Sequence, residues 1–237
     1  MHRDSDVISK LHRGLIVSCQ AHEGPLRDPY IMRCMAQAAQ MGGAVGIRAN
    51  SIEDIQEIKK YVSLTIIGII KRNTPGFDVY ITPTLSEVAE LASACVDIIA
   101  MDATLNIRPD GIALEESFPD MKKAYPDVLF MADCATLEEG KRAEALGFDL
   151  ISTTLFGYTP ETRNEKPPGY DLMKNMVNSL NVPIVAEGGI WTPEQMREAF
   201  AQGVHCCVVG TAITNPLEIT KRFVTQMNCN PGRTCVT

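Results

Sequence analysis

Short apolar runs rich in β-branched residues alternate with amphipathic stretches of about ten residues along almost the whole chain. No other feature constrains the fold as tightly. Eight runs can be counted, at 15–20, 44–50, 65–71, 98–104, 129–134, 150–155, 183–189 and 206–213, each followed by helix-like sequence. Strands separated by helices must run parallel. Eight such units in 237 residues close as an α/β (β/α)8 TIM barrel, a fold that takes roughly 250 residues. An open doubly wound sheet is the alternative. Its first turn would carry G-x-G-x-x-G, and the segment after Gln20 does not. The expected organisation is one barrel domain over residues 1–227, with a polar, turn-rich tail at 228–237 that frays.

Helix boundaries support the count. Ser51, Thr84, Thr136 and Thr192 stand three residues ahead of Asp54, Glu87, Glu139 and Gln195, the spacing of a capping box or close to it. Pro193 suits a first helical position. Gly42, Gly147 and Gly203 suit left-handed helix ends. Met173 and Met176, at helical spacing, read as core.

Composition excludes several roles. Lys and Arg number 22 against 29 Asp and Glu, a net charge of −7, which offers no basic face for nucleic acid. An anionic ligand must then be held by local cations or backbone amides. No apolar run approaches the ~20 residues of a membrane span, and the opening MHRDSDVISKLHRG is too charged for a signal peptide. The eight cysteines show no C-x-x-C spacing, so neither a zinc site nor any other metal site is expected. Six of them lie in apolar or element-like segments and read as small hydrophobes of a reduced, cytoplasmic protein. A pairing of Cys229 with Cys235 is not expected.

In such barrels the chemistry sits at the carboxyl ends of the strands. The runs exit on Gln20, Arg48, Lys71, Asp102, Asp133, the trio Ser152-Thr153-Thr154, Glu187 followed by Gly188-Gly189, and Gly210-Thr211. Gln20, Lys71, Asp133 and Glu187 come from odd runs. Counting back by two predicts inward layers of Ser18, Ile69, Met131 and Val185, then Ile16, Ile67, Leu129 and Pro183. Such layers make a mostly apolar floor beneath a polar ring, with Lys71 and Glu187 on opposite sides. Burial and a neighbouring arginine disfavour an ammonium there, whereas Glu187 or Asp133 favours it. A neutral amine would serve as general base or Schiff-base nucleophile; a buried ion pair is the plainer role. Glycines after the seventh and eighth runs let backbone N–H groups approach a phosphate. His12, His22 and His205 have no partners at ligand spacing, Trp191 reads as packing, and Lys221-Arg222 reads as a solvated helix end.

The strings GLIVSCQA, GIRA, IIGIIKR, YITPT, IIAMDAT, MADCATLEEG, STTLFGYTP, VAEGG and VVGTAIT-NP-EITKRF cover nearly all of residues 14–227. With them the chain resembles the N-acylglucosamine-6-phosphate 2-epimerase family, the bacterial-type N-acetylmannosamine-6-phosphate 2-epimerases of sialic acid breakdown. The resemblance implies a (β/α)8 barrel without metal or organic cofactor. It also implies interconversion of N-acetylmannosamine 6-phosphate and N-acetylglucosamine 6-phosphate by inversion at C2. By motif, Lys71 and Glu187 match the family's catalytic positions, and Gln20, Arg48 and Asp133 match positions lining the sugar site. Three positions depart from its pattern: Gly189 where a larger polar or basic residue is common, Asn215 where arginine is common, and Phe156 where serine is usual. The first two shift phosphate binding onto backbone amides.

Inversion at C2 requires proton removal next to a carbonyl, so the sugar reacts as its open-chain aldehyde. Lys71 is the expected base. Arg48 and Gln20 hold the C1 oxygen or the acetamido group. Asp133 orients Lys71 or binds a hydroxyl. Thr153, Gly189, Gly210 and Thr211 complete the binding set. The opposed positions of Lys71 and Glu187 favour two bases, with Lys71 alone as the open alternative. Two other activities stay open: a Schiff-base aldolase on a phosphorylated keto acid or sugar, and a non-catalytic phosphosugar-binding barrel. Self-association is left open.

Overall fold

In the computed structural model, residues 2–21 and 24–227 are described, the side chains of 2–5 excepted. His22, the 228–237 tail and the Cys229/Cys235 question lie outside them. Eight strands form a closed parallel barrel in sequential order. They are β1 (Leu15–Cys19), β2 (Gly46–Asn50), β3 (Thr65–Ile69), β4 (Ile98–Asp102), β5 (Leu129–Asp133), β6 (Leu150–Ser152), β7 (Ile184–Ala186) and β8 (Cys206–Val209). The helices are α1 (His2–Leu11), α2 (Pro29–Met41), α3 (Ile52–Lys59), α4 (Leu85–Ser93), α5 (Leu114–Ala124), α6 (Leu137–Leu146), α7 (Tyr170–Ser179), α8 (Pro193–Ala201), α9 (Thr211–Thr214) and α10 (Pro216–Met227).

Period-two alternation sorts the core into two layers. Ile16, Ile67, Ile69, Leu129, Met131 and Val185 pack inside the barrel with Ile98, Ala100, Leu150, Cys206 and Val208. Val17, Ile47, Ile66, Met101, Phe130, Ile151, Ile184 and Cys207 face outward beneath the helices, where Met173 and Met176 also pack. Pro183 is the exception to the expected layers: it precedes β7 and is only half-buried. Three of the four cysteines that are buried lie on strands; Cys95 is exposed, contrary to its apolar setting in the sequence.

Thr84, Thr136 and Thr192 form complete capping boxes. Ser51 accepts from the Asp54 N–H but sits at φ 74° and ψ 152°, an unusual backbone for a non-glycine residue. Gly147 and Gly203 have positive φ as expected, but Gly42 is right-handed and the next residue, Gly43, makes the left-handed turn at φ 91°.

Two elements depart from the sequence pattern. Residues 211–214 form α9 rather than extending a strand, because the chain breaks at Gly210 (φ −110°, ψ −88°). The Thr214 hydroxyl then donates to the Ser18 carbonyl at 2.7 Å, tying α9 to β1. Tertiary anchoring overrides the strand preference of a β-branched run. The charged N-terminal segment forms α1, whose Val7 and Leu11 join the inner cluster. His205 pins it: Nε2–H donates to the Ile8 carbonyl at 2.8 Å, and its ring packs against His12 with centroids 5.0 Å apart. The two histidines thus serve the fold through each other.

Candidate active site

Beyond the strand ends the backbone stays extended for a residue or two, so the alternation carries Gln20, Lys71 and Glu187 inward above the apolar floor. They line a cavity of about 310 Å³ with Ser18, Arg48, Thr154, Gly189, Gly210 and Thr211. Asp133 and Thr153 lie outside this lining, each held behind it. The side chain of Asp133 is 0% exposed. It grips the Arg48 guanidinium with both oxygens, accepting from Nη2 at 2.6 Å and from Nη1 at 3.1 Å. The Thr153 hydroxyl donates to the Glu187 carbonyl at 2.9 Å and accepts from the Glu187 N–H at 3.1 Å. Thr154, one residue on, faces the cavity.

Arg48 is the hub. Its side chain is 1% exposed, and Nη1 donates to Glu187 Oε2 at 2.7 Å. The Thr154 hydroxyl lies 2.7 Å from Asp133 Oδ1 and 3.1 Å from Glu187 Oε2, which fixes the two carboxylates relative to each other. Burial works against the guanidinium charge, but Asp133 and Glu187 outweigh it and hold the Arg48 pKa above its usual range. Burial raises the Glu187 carboxyl above the ordinary carboxylate range; Arg48 opposes this and Asp133 reinforces it. Lys71 moves the other way. Burial and then Arg48 lower its ammonium pKa to about 8, against the pull of Glu187 and Asp133.

Position 71 is fixed by its backbone. The Lys71 N–H donates to Asn50 Oδ1 at 2.8 Å, and Lys71 bridges antiparallel to Ile81. That turnback places Tyr80 on the wall, its ring centroid 5.8 Å from Lys71 Nζ. Burial first, then Asp133, pushes the Tyr80 phenol up to about 12, so it remains a neutral donor. Buried Arg108 holds the turnback from behind, donating to the carbonyls of Pro83, Asp102 and Thr82.

Gly188 and Gly189 adopt φ values of 99° and 69°. A Cβ at 189 would also meet Pro167 Cβ at 2.4 Å and its carbonyl carbon at 2.8 Å. The loop after β6 therefore occupies the space a larger residue at 189 would need. Gly189, Gly210, Thr211 and Asn215 form one end of the cavity together with Trp191, which the sequence suggested as packing. Tyr80 and Tyr158 escaped the sequence reading, Thr154 was named only as a strand exit, and Trp191 only as packing. Thr154 could have been found by counting two residues on from inward-facing Ser152. The aromatics lie on loops whose course no periodicity reports.

Fold and site together define a class: a (β/α)8 barrel with a buried lysine of lowered pKa lining its central cavity and glycines lining the same cavity beyond the seventh and eighth strands. Comparison with known proteins narrows the class. The family described as "Putative N-acetylmannosamine-6-phosphate epimerase" matches residues 32–229. Two relatives share the name "Putative N-acetylmannosamine-6-phosphate 2-epimerase". One, from Caldanaerobacter subterraneus subsp. tengcongensis, is 54% identical over 221 residues, 93% of each chain. The other, from Borreliella afzelii, is 50% identical over 226 residues, 94% of this chain and 97% of its own. The solved N-acetylmannosamine-6-phosphate 2-epimerase from Clostridium perfringens superposes with a TM-score of 0.88 at 44% identity, over 92% of this chain and 95% of that one. The chain belongs to the N-acetylmannosamine-6-phosphate epimerase family.

Proposed function

We propose that this chain interconverts N-acetylmannosamine 6-phosphate and N-acetylglucosamine 6-phosphate, as its relatives are named to do, through proton transfer at C2 by Lys71. The observation that carries this reading is a cavity-lining lysine with its pKa lowered to about 8 beside a buried Arg48–Asp133–Glu187 cluster. In the open-chain sugar the C2–H bond breaks, the proton passes to the neutral amine, and the electron pair forms an enolate with C1 and its oxygen. Arg48 supplies positive charge to that oxygen, Gln20 supplies an amide, and Tyr80 supplies a neutral hydroxyl donor. Return of the proton to the opposite face gives the other epimer. The N–H groups of Gly189, Gly210 and Thr211 hold the phosphate, while Asp133 and Thr153 act as positioning residues for Arg48 and Glu187. One catalytic domain over residues 1–227 and a cytoplasmic location fit this activity. Among the described residues no helix is long and apolar enough to cross a membrane.

Charge balance gives Glu187 its role. Arg48⁺ with two carboxylates is balanced when Lys71 and Glu187 hold one proton between them, a coupled pair rather than two independent acids. With Oε2 held by Arg48 and Thr154, Glu187 is a restrained base, which favours Lys71 serving both faces of C2. Glu187→Gln should then slow C2 hydrogen exchange from both epimers while leaving it measurable from each. Loss from one epimer alone would assign Glu187 the second face.

The direct test incubates the protein with either phosphosugar and follows the other by proton NMR. Conversion from both sides to one common ratio is the expected result. No conversion, with borohydride trapping sugar on Lys71, would favour a Schiff-base aldolase. Binding without either reaction would leave a phosphosugar-binding barrel.

The same reading includes a homo-oligomer. Helix α10 has no buried residue, and its Leu217, Phe223, Val224 and Met227 are exposed, Phe223 at 71% and Met227 at 81%. An apolar groove of about 310 Å³, lined by Leu15, Val17, Met35, Ala39, Ala44 and Ile213 among others, lies open on the outside of the barrel. A second copy supplies a cover for both surfaces. Light scattering should give a mass above 26.0 kDa for the native chain and a monomer for Phe223→Asp.

A further inference from the structure

Among the described residues, no cationic side chain lines the glycine end of the cavity. Among the described residues the cavity's cationic side chains are Arg48 and Lys71, both committed to the central cluster. A sugar phosphate brings about two negative charges, and backbone amides alone leave that charge without a counterion. One guanidinium stands next to this end. Asn215, on the wall, leads directly into α10, and Arg222 on that helix places its guanidinium carbon 4.7 Å from the ring centroid of Trp191, itself on the wall. Its neighbour Lys221 is paired with Glu218 at 2.7 Å. Among the described residues the Arg222 side chain makes no hydrogen bond or ion pair; its contact is the one with the Trp191 ring.

We propose that Arg222, carried on the indole of Trp191, is the cation that holds the substrate's phosphate. The cation–π contact holds the guanidinium at the wall while leaving N–H groups for a phosphate. The requirement for a 6-phosphate then resides in a residue on the last helix, outside the eight strand ends. Pro167 makes such a source necessary, because it fills the space a side chain at 189 would use.

The proposal rests on the phosphosugar reading, and its test separates the two. Binding of inorganic phosphate to the full chain is measured by calorimetry at several salt concentrations, beside steady-state kinetics with N-acetylmannosamine 6-phosphate. The proteins are wild type, Arg222→Ala, Arg222→Lys and Trp191→Leu, compared at matched oligomeric state and matched circular dichroism. Arg222→Ala should weaken phosphate binding and raise KM by roughly 10- to 100-fold, the range of a lost charge-assisted contact, with kcat within about twofold. Its binding should also respond less to salt. Arg222→Lys should recover part of the loss, and Trp191→Leu should reproduce part of it. Unchanged phosphate affinity and KM in Arg222→Ala would overturn the proposal, as would a loss confined to kcat. If the wild type fails to epimerise yet binds phosphate in an Arg222-dependent way, the clamp stands and the epimerase reading falls.

Discussion

Lys71→Ala should abolish both epimerisation and exchange of the C2 hydrogen with solvent deuterium. Removing a general base typically lowers the rate by ~10²–10⁴, and among the described residues no other lysine lines the cavity to replace it. Lys71→Arg should be equally inactive, because a guanidinium does not become neutral at working pH. In the wild type the reactive form is the free amine, so kcat/KM should climb as pH rises through about 8 and level off above it. The stability effect has a definite sign. The folded-state pKa lies below the unfolded value near 10.5, so the folded protein binds fewer protons between pH 8 and 10.5. The protonated lysine destabilises the fold fully below pH 8, and the penalty fades as pH rises to 10.5. Lys71→Met should therefore melt no lower than wild type at pH 7. A melting temperature several degrees lower would show that Lys71 holds the fold together.

Arg48→Met should be costly in a different way. It removes the partner of two carboxylates, Asp133 with its side chain 0% exposed and Glu187 with 13%. Breaking a buried ion pair by deleting one member costs about 3–5 kcal/mol, because the remaining charge is left unpaired in a poorly solvating site. For a chain of this size that corresponds to a fall in melting temperature on the order of 10 °C. The loss should depend on pH. Without Arg48 the burial of Glu187 is opposed only by the Thr154 hydroxyl and Lys71, so its folded pKa moves further above the unfolded value. Stability is fully retained below the unfolded carboxyl pKa and is lost as pH rises from there through the folded pKa. Arg48→Met should thus lie closest to wild type near pH 5 and furthest at pH 8. Thermal melts at both pH values check this; a uniform small loss would show that Arg48 is not the charge hub.

The parts of this architecture that repeat were legible as sequence. Alternation along Ile16-Val17-Ser18 or Ile67-Gly68-Ile69 specifies which side chains enter the barrel, and the polar exits sit above them with little ambiguity. Four things were not legible, each for a physical reason. Asp133 reads as a wall residue because parity reports only that it points inward; its pairing with Arg48 depends on neighbouring strands. Tyr80, Tyr158 and Trp191 reach the cavity on loops held by distant contacts, such as Arg108 on the Pro83 carbonyl. Helix α1 is dominated in sequence by its charges, so the two apolar residues that enter the barrel floor, Val7 and Leu11, are easily passed over. Arg222 belongs with these. Beside Lys221 it reads as a solvated helix end, and only the path of α10 brings it onto Trp191.

Deuterium incorporation at C2 tests the central claim most directly. Wild-type protein is incubated in deuterium oxide with N-acetylmannosamine 6-phosphate, and the N-acetylglucosamine 6-phosphate formed is examined by proton NMR. Proton removal by Lys71 predicts product carrying deuterium at C2, together with solvent deuterium appearing in recovered substrate, and neither signal in Lys71→Ala. Product that retains its original C2 hydrogen, or exchange that persists undiminished in Lys71→Ala, would contradict the account.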